Sequence, residues 1–212
     1  MVRDDERRAR ASDPPVMGGL PNVPGIGVAM ALTPGLGAHM RGLADELLVH
    51  DYPGATITRG ERELLATAVS AANDCFFCMD SHGAFAAVLL GREGAQDVRA
   101  IIDGVKCGAS GGLGTKMREL LAIARTVRAQ PLALTRADVM AAQAAGASDG
   151  DVQLAVLIAS AFSMYNRMVD GFRAVTPPNA EVYADRAGQI ADRGYAAPPP
   201  APAGDRAAPA RP

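Results

Sequence analysis

Apolar residues recur three and four positions apart through the middle of the chain, which is the spacing of helices that bury one face. Leu43, Leu47 and Leu48 predict a first helix, which Pro53-Gly54 ends. No segment alternates apolar and polar residues over the length of a strand. The pattern therefore predicts an all-α fold.

A second helix is predicted from its start signal. Thr58 is a candidate N-cap, and Glu61 three residues later completes a capping box. We expect this helix to run to about Ala72 and to bury Leu64, Leu65, Ala68 and Val69. Asn73-Asp74 is expected to cap the next helix, which carries two cysteines in its first turn and stops at Gly91.

Further helices are predicted downstream, each separated from the next by glycine or proline. They cover about 97–106, 115–129, 135–145, 149–172 and 180–193.

Glycine and proline are concentrated near the two ends of the chain. Residues 1–37 are interpreted as a flexible N-terminal arm, and residues 196–212 as a disordered Ala/Pro-rich tail that cannot form a core. Residues 38–195 between them are predicted to form one helical domain. The full length of 212 residues is sufficient for a single domain with a substantial core.

Charge and composition narrow the class of function. The net charge is −2 and neither sign dominates a long run, so we expect no nucleic-acid partner. No stretch reaches the ~18 apolar residues that span a bilayer, so we expect no membrane partner. The charged N-terminus lacks the apolar region of a secretory signal, and we expect a cytoplasmic location. In that compartment a Cys-x-x-Cys pair is more often redox-active or metal-binding than structural.

Two cysteines three positions apart, Cys75 and Cys78, are followed by His82 four positions after the second. On a helix these three side chains share one face. Asp74 as an N-cap would place both thiols at the positive end of the helix dipole, which lowers the pKa of a thiol. His82 is then close enough to accept the proton of Cys78, and Glu63 on the preceding helix is a candidate to orient His82 or to carry its proton.

A thiolate activated in this way can attack the O–O bond of a hydroperoxide and become a sulfenic acid. Cys75 can then condense with that sulfenic acid to form a disulfide, which prevents irreversible over-oxidation. A dithiol donor must reduce the disulfide before the next turnover. The motif therefore favours thiol redox chemistry.

Zinc binding is the main alternative for the cysteine pair. A structural zinc site needs four ligands. Beyond Cys75, Cys78 and His82 the chain offers as a fourth ligand Cys107, Glu63, His39 or His50. Two inert buried thiols are a further alternative, because a free cysteine packs as a small apolar residue. Cys107 is expected to be a buried filler of this kind. We expect no metal site.

Several of these residues also carry a resemblance to a known family. The positions are Glu63, Val69, Ser70, Asn73, Cys75, Phe77, Cys78 and His82. A looser similarity continues through residues 134–139 and 146–149 to 166–167. The pattern resembles the alkylhydroperoxidase D-like, or carboxymuconolactone decarboxylase-like, superfamily, and looks most like its peroxidase-related branch.

The resemblance implies an all-helical fold that assembles into trimers or hexamers. It also implies that Cys78 is the peroxidatic thiol, that Cys75 resolves it, and that His82 and Glu63 complete a proton relay. The reductant in this family is often a lipoyl-bearing protein. The best-known members carry a second histidine directly before the second cysteine, where this chain has Phe77. We therefore expect slower peroxide reduction or a shorter relay.

The combined interpretation is a cytoplasmic, oligomeric, all-α thiol peroxidase that reduces hydroperoxides through a disulfide between Cys75 and Cys78. It needs no bound cofactor, only an external dithiol reductant protein. Two alternatives remain open. One is a disulfide oxidoreductase that uses the same pair, and the other is a non-catalytic helical module whose cysteines sense redox state.

Overall fold

The computed structural model describes residues 16–178 and 180–196, and every regular element in these residues is helical. In chain order the elements are α1 Gly27–Leu32, α2 Pro34–Leu48, α3 Arg59–Ala72, α4 Phe76–Arg92, α5 Val98–Lys106, α6 Thr115–Ala129, a 3-10 helix Pro131–Ala133, α7 Arg136–Ala144, α8 Asp149–Gly171 and α9 Ala180–Arg193. The predicted all-α class is confirmed.

Helix α3 lies at the centre of the fold. Residues 62–70 are buried without interruption, so the helix is enclosed on all sides rather than along one face. It packs against α4, α5, α6 and α8, and α9 covers the outer side of α4. The predicted core residues Leu64, Leu65, Ala68 and Val69 are all buried. A polar side chain on this helix is therefore held inside the protein.

Helix α3 begins with the predicted capping box. The Thr58 hydroxyl accepts a hydrogen bond from the Glu61 backbone N–H, and the Glu61 carboxylate accepts one from the Thr58 N–H at 2.9 Å. These bonds satisfy N–H groups that have no partner within the helix.

The turn between α3 and α4 differs from the prediction that Asn73-Asp74 caps α4. Asp74 has a left-handed backbone, with φ of 58°, and it ends α3. Its N–H donates to the Ala71 carbonyl, and the Cys75 N–H donates to the Ser70 carbonyl, each at 3.0 Å. This is a Schellman termination. Cys75 is consequently the N-cap residue of α4 and lies just outside its first turn.

A polar network fixes this turn. Arg128 donates hydrogen bonds to the Ala72 carbonyl and, at 2.7 Å, to the Asn73 side chain. The Asn73 amide donates to Asn166 at 2.8 Å, and the Asn166 amide donates to the Ser70 hydroxyl at 3.1 Å. Side chains from α6 and α8 thus fix the C-terminal end of α3 and the turn that leads to Cys75.

The structure describes the two predicted terminal segments only in part. Residues 1–15 of the predicted arm and residues 197–212 of the predicted tail lie outside the described residues. Within the predicted arm, α1 and the start of α2 are helical, and Val28 and Ala29 are buried. The many glycines and prolines before residue 37 make this short helix hard to predict from the sequence. The helix packs against α2.

Helix α8 is the one helix of the described residues that is long and apolar enough to cross a membrane. Of its most apolar window, 56% is buried inside the protein. Helix α8 packs against α3 and α6, and a buried core helix can be as long and apolar as a membrane-spanning one.

Asp151, in the first turn of α8, joins that helix to the loop before α3. Its side chain is fully buried and accepts hydrogen bonds from the Thr56 N–H at 2.6 Å, the Thr56 hydroxyl at 2.7 Å, the Ile57 N–H at 2.9 Å and the Ser148 N–H at 3.0 Å. Burial opposes ionisation, but the hydrogen bonds, led by those from Thr56, outweigh it and lower the pKa of Asp151.

We expect Asp151→Asn to lower the free energy of unfolding at pH 7 by about 2 kcal/mol, because the new amide group faces donors and leaves one of them unsatisfied. The folded pKa lies below the ordinary value, so the stabilisation is fully present above pH ~4 and is lost as the pH falls through the folded pKa. Urea unfolding at pH 7 and at pH 3 measures the difference, which should shrink in acid. Asp149→Asn is the control, because Asp149 is exposed. An equal loss of stability in that variant would contradict the stabilising role of Asp151.

Candidate active site

A buried carboxylate and a histidine form the centre of the candidate site. Glu63 of α3 is fully buried, and one of its oxygens lies 2.6 Å from His82 Nδ1 of α4. The His82 ring also makes edge contacts with Phe162, at 4.5 Å between ring centroids, and with Phe85, at 5.2 Å. These contacts fix the ring, so Nδ1 is directed at the carboxylate.

The second Glu63 oxygen is bound by a residue far along the chain. The hydroxyl of Tyr195, which follows α9, donates to it at 2.5 Å and lies 3.4 Å from His82 Nδ1. Burial raises the pKa of Tyr195, and the nearby charge of Glu63 raises it further. Tyr195 therefore remains protonated and acts as the donor.

The two cysteines of the motif form a second cluster. Cys75 is fully buried and Cys78 is 3% exposed, and their side chains are joined by a hydrogen bond. Apolar residues from two segments pack over them: Leu20, Ile26 and Val28 before α2, and Phe172 and Ala174 after α8. The Gly25 N–H donates to the Val175 carbonyl at 3.0 Å and links the two segments. The thiols are thus buried beneath apolar side chains.

Asp170, in the last turn of α8, also hydrogen-bonds to Cys75. Burial raises the pKa of Asp170 to about 6. The pKa of the Cys75 thiol is raised above its usual range, first by its hydrogen bond to Cys78 and then by burial. The prediction that the helix dipole lowers the pKa of this thiol is wrong for Cys75. Cys75 lies at the N-cap beside a second sulfur and a carboxylate, and these together with burial outweigh a hydrogen bond from the Cys78 backbone that lowers the pKa.

The structure places the four predicted residues along the α3–α4 pair in two groups. Glu63 and His82 are in direct contact, and so are Cys75 and Cys78. Across the described ranges, no hydrogen bond joins the His82 ring to either thiol. Cys78 and His82 are four residues apart on α4, which places their Cβ atoms roughly 6 Å apart on the same face. The groups are therefore adjacent.

The other cysteine and the remaining histidines lie apart from these groups. Cys107 is exposed, so the prediction of a buried filler is wrong, since α5 ends at Lys106 and leaves this side chain at the surface. His50 forms an exposed pair with Glu46 at 3.0 Å. In the described part of the chain, no group of three or more histidine, cysteine or acidic side chains is arranged to hold a metal ion.

Comparison with known proteins places the chain beside a known family and two solved structures. Residues 34–91 match the family model described as the carboxymuconolactone decarboxylase family. The core of an alkylhydroperoxidase from Ralstonia eutropha, an uncharacterized peroxidase-related protein, is similar in structure with a TM-score of 0.63. It is 26% identical in sequence, and the match covers 76% of this chain and 80% of that one. The predicted resemblance to the alkylhydroperoxidase D-like superfamily is confirmed.

A second solved structure shares this alkylhydroperoxidase D-like fold. It is an uncharacterized peroxidase-related protein from a Silicibacter species, with a TM-score of 0.63 and 24% identity. The match covers 76% of this chain and 79% of that one. No curated protein matches the chain at a significant level.

The region that matches the carboxymuconolactone decarboxylase family model runs from α2 almost to the end of α4. It contains Glu63, Cys75, Cys78 and His82. Asp170 and Tyr195 lie outside it, and neither belongs to a motif in the sequence. The available signals were modest: Asp170 lies four residues after Asn166, and Tyr195 is a single aromatic directly before the Ala/Pro-rich tail.

Proposed function

We propose that this protein is a thiol-dependent peroxidase that reduces hydroperoxides through a disulfide between Cys75 and Cys78. The observation that carries the proposal is the placement of a hydrogen-bonded pair of thiols one helical turn from a buried Glu63–His82 pair. The similarity to peroxidase-related structures supports the same class of reaction. The apolar side chains packed around the two thiols suit an organic hydroperoxide.

In the first step His82 acts as the base. With Nδ1–H donated to Glu63, Nε2 is the nitrogen that can accept the proton of the Cys78 thiol. The Cys78 thiolate attacks the distal peroxide oxygen, and the O–O bond breaks. The departing alkoxide takes the proton from His82 and leaves as an alcohol. Cys78 is oxidised to the sulfenic acid, and the hydroperoxide is reduced.

In the second step Cys75 acts as the resolving thiol. Its sulfur attacks the sulfur of the Cys78 sulfenic acid, the S–S bond forms, and the hydroxyl group leaves with the Cys75 proton as water. The raised pKa of Cys75 keeps it protonated while Cys78 reacts, which supports this division of roles. Asp170 is hydrogen-bonded to the Cys75 thiol and can receive its proton in transit.

An external dithiol completes the cycle. Its two thiols reduce the Cys75–Cys78 disulfide by exchange and are themselves oxidised to a disulfide. We propose a lipoyl-bearing protein as this reductant and the cytoplasm as the compartment, since dithiol donors are kept reduced there. No cofactor is bound in this scheme. We further propose that the chain works as a homo-oligomer, a trimer or a hexamer.

A disulfide oxidoreductase is the second candidate. It is favoured by one observation, the absence in the described residues of a hydrogen bond from His82 to Cys78, because thiol–disulfide exchange can proceed without the relay. The two candidates differ in the oxidant. A peroxidase requires a hydroperoxide, whereas the alternative is oxidised by a disulfide.

The test is the intact mass of the reduced protein after one equivalent of an organic hydroperoxide, followed by peptide mapping. We expect the loss of two hydrogens, located at Cys75 and Cys78 and reversed by dihydrolipoamide. A Cys107→Ser background removes the exposed third thiol from the result. An unchanged mass at a large excess of peroxide would refute the peroxidase. Oxidation by a disulfide alone would favour the second candidate, and oxidation without turnover by any dithiol would favour a redox sensor.

A further inference from the structure

Tyr195 reaches the candidate site from the opposite end of the chain. It lies 132 residues after Glu63, beyond the last helix, yet its hydroxyl donates to the buried Glu63 oxygen that His82 does not use. The Tyr195 ring is also nearly parallel to the His82 ring, at an angle of 21° and a centroid distance of 6.0 Å. Glu63 is thereby held between two donors, one on each carboxylate oxygen.

The position of Tyr195 is set by contacts on its backbone. The buried carboxylate of Asp45 in α2 accepts the Tyr195 N–H at 2.6 Å and the Ala196 N–H at 2.8 Å. Gly194 has a φ of 73°, and a Cβ there would lie 2.7 Å from an Asp45 oxygen, so a glycine is required for this approach. Arg59 donates to the carbonyls at the end of α9, at 3.0 and 3.1 Å.

The titratable and charged groups that face the Tyr195 hydroxyl come from three elements. Glu63 and Arg59 belong to α3, Asp45 to α2 and the ring of His82 to α4. The two carboxylates favour a protonated tyrosine, whereas the arginine opposes this effect more weakly than Glu63 reinforces it. The hydroxyl therefore donates a hydrogen bond.

We propose that Tyr195 is a positioning residue of the proton relay, whose hydroxyl holds the Glu63 carboxylate directed at His82 Nδ1. A donor on a carboxylate stabilises its charged form and fixes its orientation. Because the other carboxylate oxygen receives Nδ1–H, Tyr195 indirectly sets which nitrogen of His82 can accept the thiol proton. The C-terminal segment that Asp45 anchors is thus part of the working site.

Tyr195→Phe removes only the hydroxyl. We expect the reaction of Cys78 with hydroperoxide to slow about tenfold near neutral pH, and the acid limb of its pH–rate profile to move to higher pH. Without this donor the carboxylate holds a charged imidazolium more tightly, so His82 becomes available as a base only at higher pH. The melting temperature should change little.

Tyr183→Phe is the matched control. It removes the hydroxyl of a tyrosine in α9 that donates to the Pro177 carbonyl at 2.8 Å, away from Glu63. We expect its pH–rate profile to match that of the unaltered protein. Asp45→Asn provides a second variant, which disturbs the anchor of Tyr195 without touching the relay. It should shift the acid limb in the same direction by a smaller amount.

The peroxide rate rests on the proposed function, so the same pH series is repeated with iodoacetamide, and alkylation of Cys78 is followed by peptide mapping. If the unaltered protein ignores peroxide but Tyr195→Phe shifts the alkylation profile, the peroxidase fails and the role of Tyr195 stands. If Tyr195→Phe leaves both profiles unchanged, the inference is overturned, whether or not the melting temperature falls.

Discussion

Replacing Cys78 by serine is expected to abolish the reaction with hydroperoxide, whereas Cys75→Ser is expected to retain a single oxidation that stops at the sulfenic acid of Cys78. The reason lies in the unequal surroundings of the two sulfurs. The Cys75 thiol is hydrogen-bonded to Cys78 and to Asp170, and its pKa is raised. Cys78 shares a helix face with His82, which can take its proton. Serine at position 78 leaves the site without a nucleophile of comparable reactivity.

The measurement is peroxide consumption together with a trap for sulfenic acid. Dimedone should label Cys78 in Cys75→Ser after one equivalent of hydroperoxide and should label nothing in Cys78→Ser. Cys107→Ser serves as the control, since this exposed cysteine lies outside the motif and its loss should leave the rate unchanged. Equal reactivity of Cys75→Ser and Cys78→Ser would show that the roles are assigned wrongly.

Glu63→Gln is expected to slow the oxidation of Cys78 by about 100-fold. The side chain keeps its size, so the fully buried position stays filled. In the native protein His82 Nδ1 and the Tyr195 hydroxyl lie 2.6 and 2.5 Å from the two carboxylate oxygens. An amide has only one oxygen, so it cannot accept hydrogen bonds from both donors in this way. One donor then faces an NH₂ group, and the His82 ring loses the charge that stabilises its protonated form during the reaction.

A second Glu–His pair in the same molecule provides the control for this experiment. Glu46 and His50 are joined at 3.0 Å and Glu63 and His82 at 2.6 Å, but Glu46 and His50 are both exposed. Glu46→Gln should leave the rate of peroxide reduction within about twofold, because an exposed pair contributes little. Stopped-flow measurement of single-turnover oxidation compares the two variants. Similar rates for Glu63→Gln and the unaltered protein would remove Glu63 from the relay.

The helical part of the fold was predictable because its signals are local. Spacing of apolar residues and start signals such as the Thr58 capping box act within a few residues, and the observed helix bounds follow them closely. Cys75, Cys78 and His82 were predictable for the same reason, since one helix carries them. Glu63 required the resemblance to a known family, because a glutamate on a helix is by itself an ordinary surface residue.

The remaining parts of the site depend on contacts across the fold. Asp170 approaches Cys75 only because α8 ends beside the α3–α4 turn, and Tyr195 approaches Glu63 only through Asp45 in α2. Neither approach leaves a pattern in the neighbouring sequence. Asp74 also shows how two local signals can compete. The same residue suits the N-cap of one helix and the left-handed end of the preceding helix, and here the second role prevails.

The unequal exposure of the three cysteines determines how a titration of free thiols on this protein has to be interpreted. A colorimetric reagent added to the folded, reduced chain meets Cys107 at once, whereas Cys75 and Cys78 lie beneath apolar side chains. A result of one rapidly reacting thiol per chain is therefore compatible with a fully reduced pair. Counts before and after unfolding are both needed to tell a reduced pair from an oxidised one. An exposed Cys107 can also join two chains, so a dimer on a non-reducing gel would not by itself report on the redox state of the buried pair.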